Sequence, residues 1–435
     1  MNTPIQLPPL SALQRRIYVS LSGAGQFTSL TRARDAASAG DVIHVVDGTH
    51  IVTDANLAKN QVSWHLYGGV VIQGSNSGAN PVGLFDDEGT AMEFRVSGEG
   101  DIQFSFGHAG APHKGVIRLN NANSMCYVSA RRIRANDLGA NDGVSVAAIA
   151  VLNCKYSEFH VDTLDTPDPE DANSYVLGVY WEKGECHVNA NIIWGQYYAV
   201  WCVEPVAAGT TNLYVNANVL RSRHRSPVEV TSTSGGTTWA TWIKPHQIIN
   251  NSSFSAVQFT GNGGKLYIEG VEKIDSTQYI GCLVQTGEFW MRGQKITSSS
   301  HANILLTGGN AIIRMLHLEN TGTTHLIECS GGTHDVQVAR AKITNGKGIV
   351  HSGGTLRFSG RIDTSNTNSA TNRPVEVSGA GLQLVGSMLI APALADGVYA
   401  GAAQNVQNLG SGTNRAPHVN VTIQGEALVV SALYT

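Results

Sequence analysis

Lys265-Leu-Tyr-Ile-Glu-Gly270, Glu288-Phe-Trp-Met-Arg-Gly293, Asn310-Ala-Ile-Ile-Arg-Met315, Thr333-His-Asp-Val-Gln-Val338 and Thr355-Leu-Arg-Phe-Ser-Gly360 are five alternating hexamers, each placed directly after a glycine. Their starts fall about 22 or 23 residues apart, the period of one turn of a solenoid. A second apolar run recurs between them, as in Ile280 to Val284, Ala302 to Leu306, His325 to Cys329 and Gly348 to His351. No run is long enough for a helix, so each unit consists of two or three short strands.

One such unit cannot bury its apolar side alone. Stacking units about 4.8 Å apart pairs every strand in parallel with the next and closes a continuous interior. Alternation then sends Leu266, Ile268, Phe289, Met291, Ala311, Ile313, Val336, Val338, Leu356 and Phe358 inward. Tyr267, Trp290, Ile312, Asp335 and Arg357 must point out. Leucine-rich repeats would need leucines and an asparagine at fixed offsets, and helical repeats would need helix-length periodicity. Neither pattern occurs, which leaves an all-β, single-stranded parallel β-helix.

The rest of the composition agrees. The chain has 435 residues, 14% charged, with 48 glycines and a net charge of -4. Small polar residues and glycine suit the many turns of a solenoid. No basic stripe is present, which argues against a nucleic-acid partner, and no segment has the length and apolarity for membrane insertion. Cys126, Cys154, Cys186, Cys202, Cys282 and Cys329 lie mainly in apolar strands without a CxxC spacing and read as free core thiols. The 15 histidines form no HxH or HExxH grouping, so neither a metal nor a cofactor is expected. Pro4, Pro8 and Pro9 stand where a signal peptide needs an apolar core. With Met1 taken as native, that points to a virion part released by lysis; an upstream signal would instead make the protein extracellular.

Taken in order, residues 1–16 read as an extended arm, a candidate attachment segment to a virion tail or baseplate, and 17–390 as the β-helix. Residues 391–435 read as a C-terminal cap or oligomerisation segment. Thr28 to Ala39 reads as a short amphipathic helix with Thr28 as N-cap, Leu30, Ala33 and Ala37 on one face, and Gly40 as its stop. The glycine-rich opening, this helix and Ala39-Gly-Asp-Val-Ile-His-Val-Val-Asp-Gly-Thr49 resemble the N-terminal cap and first coil of the pectate-lyase-like right-handed β-helices, a superfamily that includes polysaccharide lyases, glycoside hydrolases and phage tailspikes. The resemblance implies a right-handed coil capped by the helix. In character the chain is nearest to tailspike and tail fibre proteins, which implies a homotrimer and a host polysaccharide as partner. The aspartate cluster of calcium-dependent pectate lyases and the paired aspartates of polygalacturonases are not found, so the resemblance carries no catalytic residue across.

Coils lengthen at Leu164 to Ser174, Glu204 to Thr211 and Arg221 to Thr238, which places the expected groove in the middle third. Glycosidic cleavage needs two carboxyl groups across one bond. Glu182 and Glu204 close what look like corresponding strands of neighbouring coils, and Glu229 follows on the next. Asp162 and Asp165 precede them by one coil, beside Asp168, Glu170 and Asp171. One coil gives about 4.8 Å and two about 9.6 Å, so the spacing permits retaining or inverting chemistry without selecting it. Arg221, Arg223, His224 and Arg225 form the densest basic group and could bind an acidic glycan or pair with Glu204 and Glu229.

An outward column is expected to run Tyr127, His160, His187, Tyr214, Tyr267, Trp290, with a gap near Ala240. It could be a sugar platform, a contact between chains, or ordinary stacking on a β face. Of the tryptophans, Trp201 reads as core, subject to the phase of its strand, while Trp181 and Trp242 read as surface residues that could bind sugar. Three function classes remain: a tailspike or tail fibre that binds a host polysaccharide, with or without cleaving it, a non-virion polysaccharide lyase or glycoside hydrolase, and a structural or adhesive solenoid.

Overall fold

The computed structural model describes residues 15–53, 55–76, 83–106, 114–137, 146–166, 176–203, 211–232 and 239–364, and further strand segments between 375 and 429. Among the described residues, 33 strands pair in parallel as one wound sheet, a right-handed β-solenoid. The hexamers stack in the register that their spacing requires: Lys265 opposite Glu288, Glu288 opposite Asn310, Asn310 opposite Thr333, and Thr333 opposite Thr355. Parallel pairing continues at the C-terminal end, where Leu382–Val385 lies beside Val421–Gln424 and Met388–Ala391 beside Ala427–Val429.

Each coil has three faces. In the early coils the first two are separate strands, Glu93–Gly98 and Asp101–Phe106. The single strand Met125–Asp137 pairs with both, so in later coils one long strand bends across the first and second faces. The third face consists of shorter strands such as Val176–Trp181, Val200–Val203 and Val228–Ser232.

Inward side chains meet in one apolar interior that includes Trp64, Phe104, Leu266, Phe289, Val336 and Leu356. All six cysteines are buried and unbridged. The turn before each hexamer depends on glycine: Gly287, Gly309, Gly332 and Gly354 all have φ between +71° and +81°, a region open to glycine at little cost. The corner after the second face is closed by buried polar side chains. Ser276 Oγ donates to Tyr279 O at 3.1 Å, Ser298 Oγ to His301 O at 2.8 Å, and Asn320 Nδ2 to His325 O at 2.8 Å. Backbone carbonyls that cannot join a ladder are satisfied there.

The capping helix spans Leu30–Ala36 and buries Leu30 and Ala33 over the first coil. Its N-cap is Ser29 rather than Thr28: the Ser29 hydroxyl accepts from Arg32 N at 3.4 Å. At the other end Lys59 Nζ donates to Arg34 O at 2.9 Å and Ala37 O at 2.6 Å, which supplies a cation to carbonyls left open by the last turn.

Candidate active site on the third face

Strand phase decides which side chains leave the core of the third face. Trp181 pairs with Cys202, and both have no exposed surface, so this column points inward. Trp181 is therefore a core residue rather than a surface candidate, and Trp201, one residue out of phase with Cys202, faces outward. The outward column runs Arg118, Ala150, Tyr180, Trp201, Glu229 and Gln258 through successive coils.

An outward sheet face normally meets water. Here it carries a second apolar cluster outside the solenoid interior, formed by Ala147, Ala150, Leu177, Tyr180, Tyr197 and Tyr198, with Trp201 packed against it. Tyr198 stacks on Trp201 with ring centres 5.1 Å apart, and Tyr180 meets Trp201 edge-on at 5.2 Å. Two glycines let the Tyr197 to Ala199 corner lie this close. A Cβ on Gly178 would stand 2.6 Å from Ala199 O, and one on Gly195 would collide with Tyr198 O.

Two carboxyl groups sit in this aromatic layer. Glu229 is only 8% exposed; burial raises its pKa, while Arg225 and the hydrogen bond from Tyr198 pull the other way without cancelling the effect. Removing a carboxylate from water disfavours its charged form, so Glu229 holds its proton to higher pH than an exposed glutamate. Glu182 accepts from the Tyr180 hydroxyl, and burial again raises its pKa against the pull of Tyr180 and Arg118. Arg118 is paired with the buried Asp86 at 3.2 Å. Arg225 Nε donates to the Tyr197 hydroxyl at 2.8 Å, and its guanidinium lies 3.8 Å from the centre of the Phe254 ring.

The register also corrects the expected correspondence of the carboxylates. Glu229 stands opposite Trp201 and hence in line with Tyr180, whereas Glu182 lies two residues further along its strand, level with Val203. Glu204, with Asp168, Glu170 and Asp171, lies outside the described residues. Asp162 and Asp165 belong to the second-face part of the strand Tyr156–Asp165, away from the aromatic layer. Asp162 is exposed and accepts from the Thr163 hydroxyl at 3.2 Å. Asp165 is 3% exposed and is held by Arg132 and by Arg134 at 2.8 Å, so it serves as the anion of an ion-pair cluster. His224 occupies the corner before the third face, where its backbone N–H donates to Gln196 O at 3.0 Å.

His187, Tyr214 and Trp242 lie on the first face. The outward column there reads Tyr127, Glu158, His187, Tyr214, Trp242, Tyr267, Trp290. Glu158 takes the place expected for His160, and Trp242 fills the expected gap at Ala240. Coil lengths differ, and a slip of two residues keeps each side chain on the same face, so alternation gives no warning of it. His187, Tyr214, Trp242 and Tyr267 stack with centres 4.5, 4.7 and 5.3 Å apart and planes within 17°. The inner rings Tyr214 and Trp242 give both faces to their neighbours, so neither is an open platform for a sugar.

Of the carboxylates, basic residues and aromatics singled out in the sequence, the structure thus brings Glu182, Glu229 and Arg225 to one aromatic layer. Tyr180, Tyr198, Trp201 and Arg118 complete it and were missed. The signal that could have found them is the Cys202 column: a small apolar thiol marks the inward phase and turns Trp201 out.

Fold and site define a right-handed parallel β-helix with a carboxyl-bearing aromatic layer on its third face. No family model, curated protein or solved structure matches the chain. Among the described residues no group of His, Cys, Asp or Glu side chains is arranged to hold a metal ion, and no helix is long and apolar enough to cross a membrane.

Proposed function

We propose that this β-helix binds a polysaccharide across its third face and hydrolyses it, with Glu229 as general acid and Glu182 as general base. The observation that carries the reading is the Glu229 carboxyl, buried against aromatic residues and holding its proton to raised pH. A carboxylic acid kept neutral in this way can protonate a glycosidic oxygen. Trp201, half-buried at the edge of the layer, supplies the aromatic surface that the C–H face of a sugar ring prefers, with Tyr180 packed beneath it.

Glu229 and Glu182 are two coils apart and offset by two residues, roughly 12 Å between Cα atoms from the strand spacing and rise. The reading requires the two carboxyl groups to stand roughly 6.5–9.5 Å apart in the working complex, the inverting arrangement that leaves room for a water molecule. Glu229 gives its proton to the leaving oxygen as the glycosidic bond breaks. Water attacks the anomeric carbon from the opposite side, and Glu182 takes the proton that water loses. The Tyr180 hydroxyl orients the Glu182 carboxylate for that role.

Incubation with a panel of bacterial polysaccharides tests this. New reducing ends without absorbance from an unsaturated product are expected, and an unsaturated product would mean lyase chemistry instead. Glu229→Gln and Glu182→Gln should each lower the rate by about 100-fold or more with the β spectrum intact. Full activity in both would overturn the assignment, and Glu204→Gln serves as the comparison.

Deployment as a phage tailspike is a narrower form of this reading, supported by the resemblance of Ala39 to Thr49. It entails a homotrimer on a virion with the N-terminal arm as its attachment. The mass of the native protein in solution checks the trimer.

A further inference from the structure

The bend between the first and second faces forms a groove of ≈ 1040 Å³ that runs along the coil axis from Asn216 to Gly360. Its floor is low because small residues recur at the bend. At Gly270, φ is +74° and a Cβ would meet nothing within 4 Å. One wall is a single column, Lys244, Glu269, Arg292, Arg314, Gln337, one residue per coil.

Charge along that wall does not balance. Lys244 lies 3.5 Å from Glu269, and Arg314 is paired with Asp335 at 2.7 Å. Arg292 is exposed and stands between Glu269, which Lys244 already engages, and Arg314 in the register; among the described residues it has no ion-pair partner. Like charges facing each other across a ladder repel, so the middle of the groove has an unmet demand for an anion. Facing it, Leu316 exposes 51% of its surface, and Gln294 and Asn218 add amides.

We propose that this groove is a second binding site, for an extended polyuronate whose carboxylates meet Arg292 and Arg314. A polymer rather than a small anion fits because the wall repeats once per coil, close to the length of one pyranose ring, over five coils. A glycan fits better than an acidic peptide because every strand edge here is already paired within the sheet. A peptide would find no backbone partners, whereas the amides and the Leu316 surface match hydroxyls and a C–H face. Arg292 meets a carboxylate in the forked geometry that guanidinium favours. The groove lies on a different part of the coil from Glu229, so binding here does not depend on cleavage there.

Affinity electrophoresis of the full chain through gels containing polygalacturonate, alginate or neutral dextran tests the proposal. Retardation by at least one polyuronate and none by dextran is expected. Because the chain carries a net charge of -4, such retardation reports a local patch rather than general attraction. Arg292→Glu and Gln337→Glu, both at exposed positions, should each weaken it at least tenfold. Absence of retardation by either polyuronate, or equal retardation of both variants, overturns the proposal. Binding that Glu229→Gln abolishes and Arg292→Glu spares belongs to the third face and overturns it too. Equal competition by polyglutamate would show that the groove reads charge alone and would overturn the glycan assignment.

Discussion

Glu229 shows how one side chain couples the site to stability. Its folded pKa lies above the ordinary 4.5, so the stability it contributes is complete below that value and is lost as pH rises through the folded pKa. The chain should therefore unfold at lower urea concentration as pH rises above the ordinary glutamate value, and Glu229→Gln should flatten that decline. A decline of unchanged steepness in the variant would mean that other groups are responsible. Cleavage should pass through a maximum, rising as Glu182 ionises and falling as Glu229 loses its proton. Glycine at 195 is the second residue-scale constraint. Gly195→Ala drives a methyl group into Tyr198 O, so the corner must move and carry Tyr198 away from Glu229. Activity should drop at least tenfold with little change in the β spectrum.

Among the elements, the stacked rings of the first face act as a seam between coils. Strand stacking sets their spacing near 4.8 Å, close to the contact distance of aromatic faces, so identical positions in neighbouring coils reinforce one another. Trp242 touches Tyr214 on one side and Tyr267 on the other. Trp242→Ala should cost about 2 kcal/mol, from two aromatic contacts at about 0.5–1.5 kcal/mol each. Urea denaturation gives the cost, and an unchanged native mass would place the seam within one chain rather than between chains. Its existence was legible in the sequence, but its membership was not. Tyr267 and Trp290 are 23 residues apart, the period of the hexamers, so counting works there, whereas the steps from Tyr127 to Glu158 and from Tyr214 to Trp242 span 31 and 28 residues and the count slips.

Over the whole molecule, stability is the sum of coil-to-coil contacts around one interior. Phe289 meets Phe259 with centres 6.0 Å apart and is 2% exposed. Phe289→Ala should cost about 3–5 kcal/mol, and because each coil contacts only its neighbours, hydrogen exchange should speed up first in the coils beside it. Uniform acceleration from one end of the solenoid to the other would argue for a single cooperative unit instead.

The amino-acid sequence by itself determined the solenoid. Alternation of period two and a glycine at each return are local signals, repeated often enough that Lys265, Glu288, Asn310, Thr333 and Thr355 could be aligned by counting. Only the tertiary structure decided that Glu182 and Glu229 share an aromatic layer, that Trp181 is inside and Trp201 outside, and that Asp165 belongs to Arg132 and Arg134. Lateral neighbours between Arg16 and Thr364 are 21 to 33 residues apart in the chain. Each irregular corner along that path adds an offset that no local pattern records, so partners across coils emerge only when the coils are stacked.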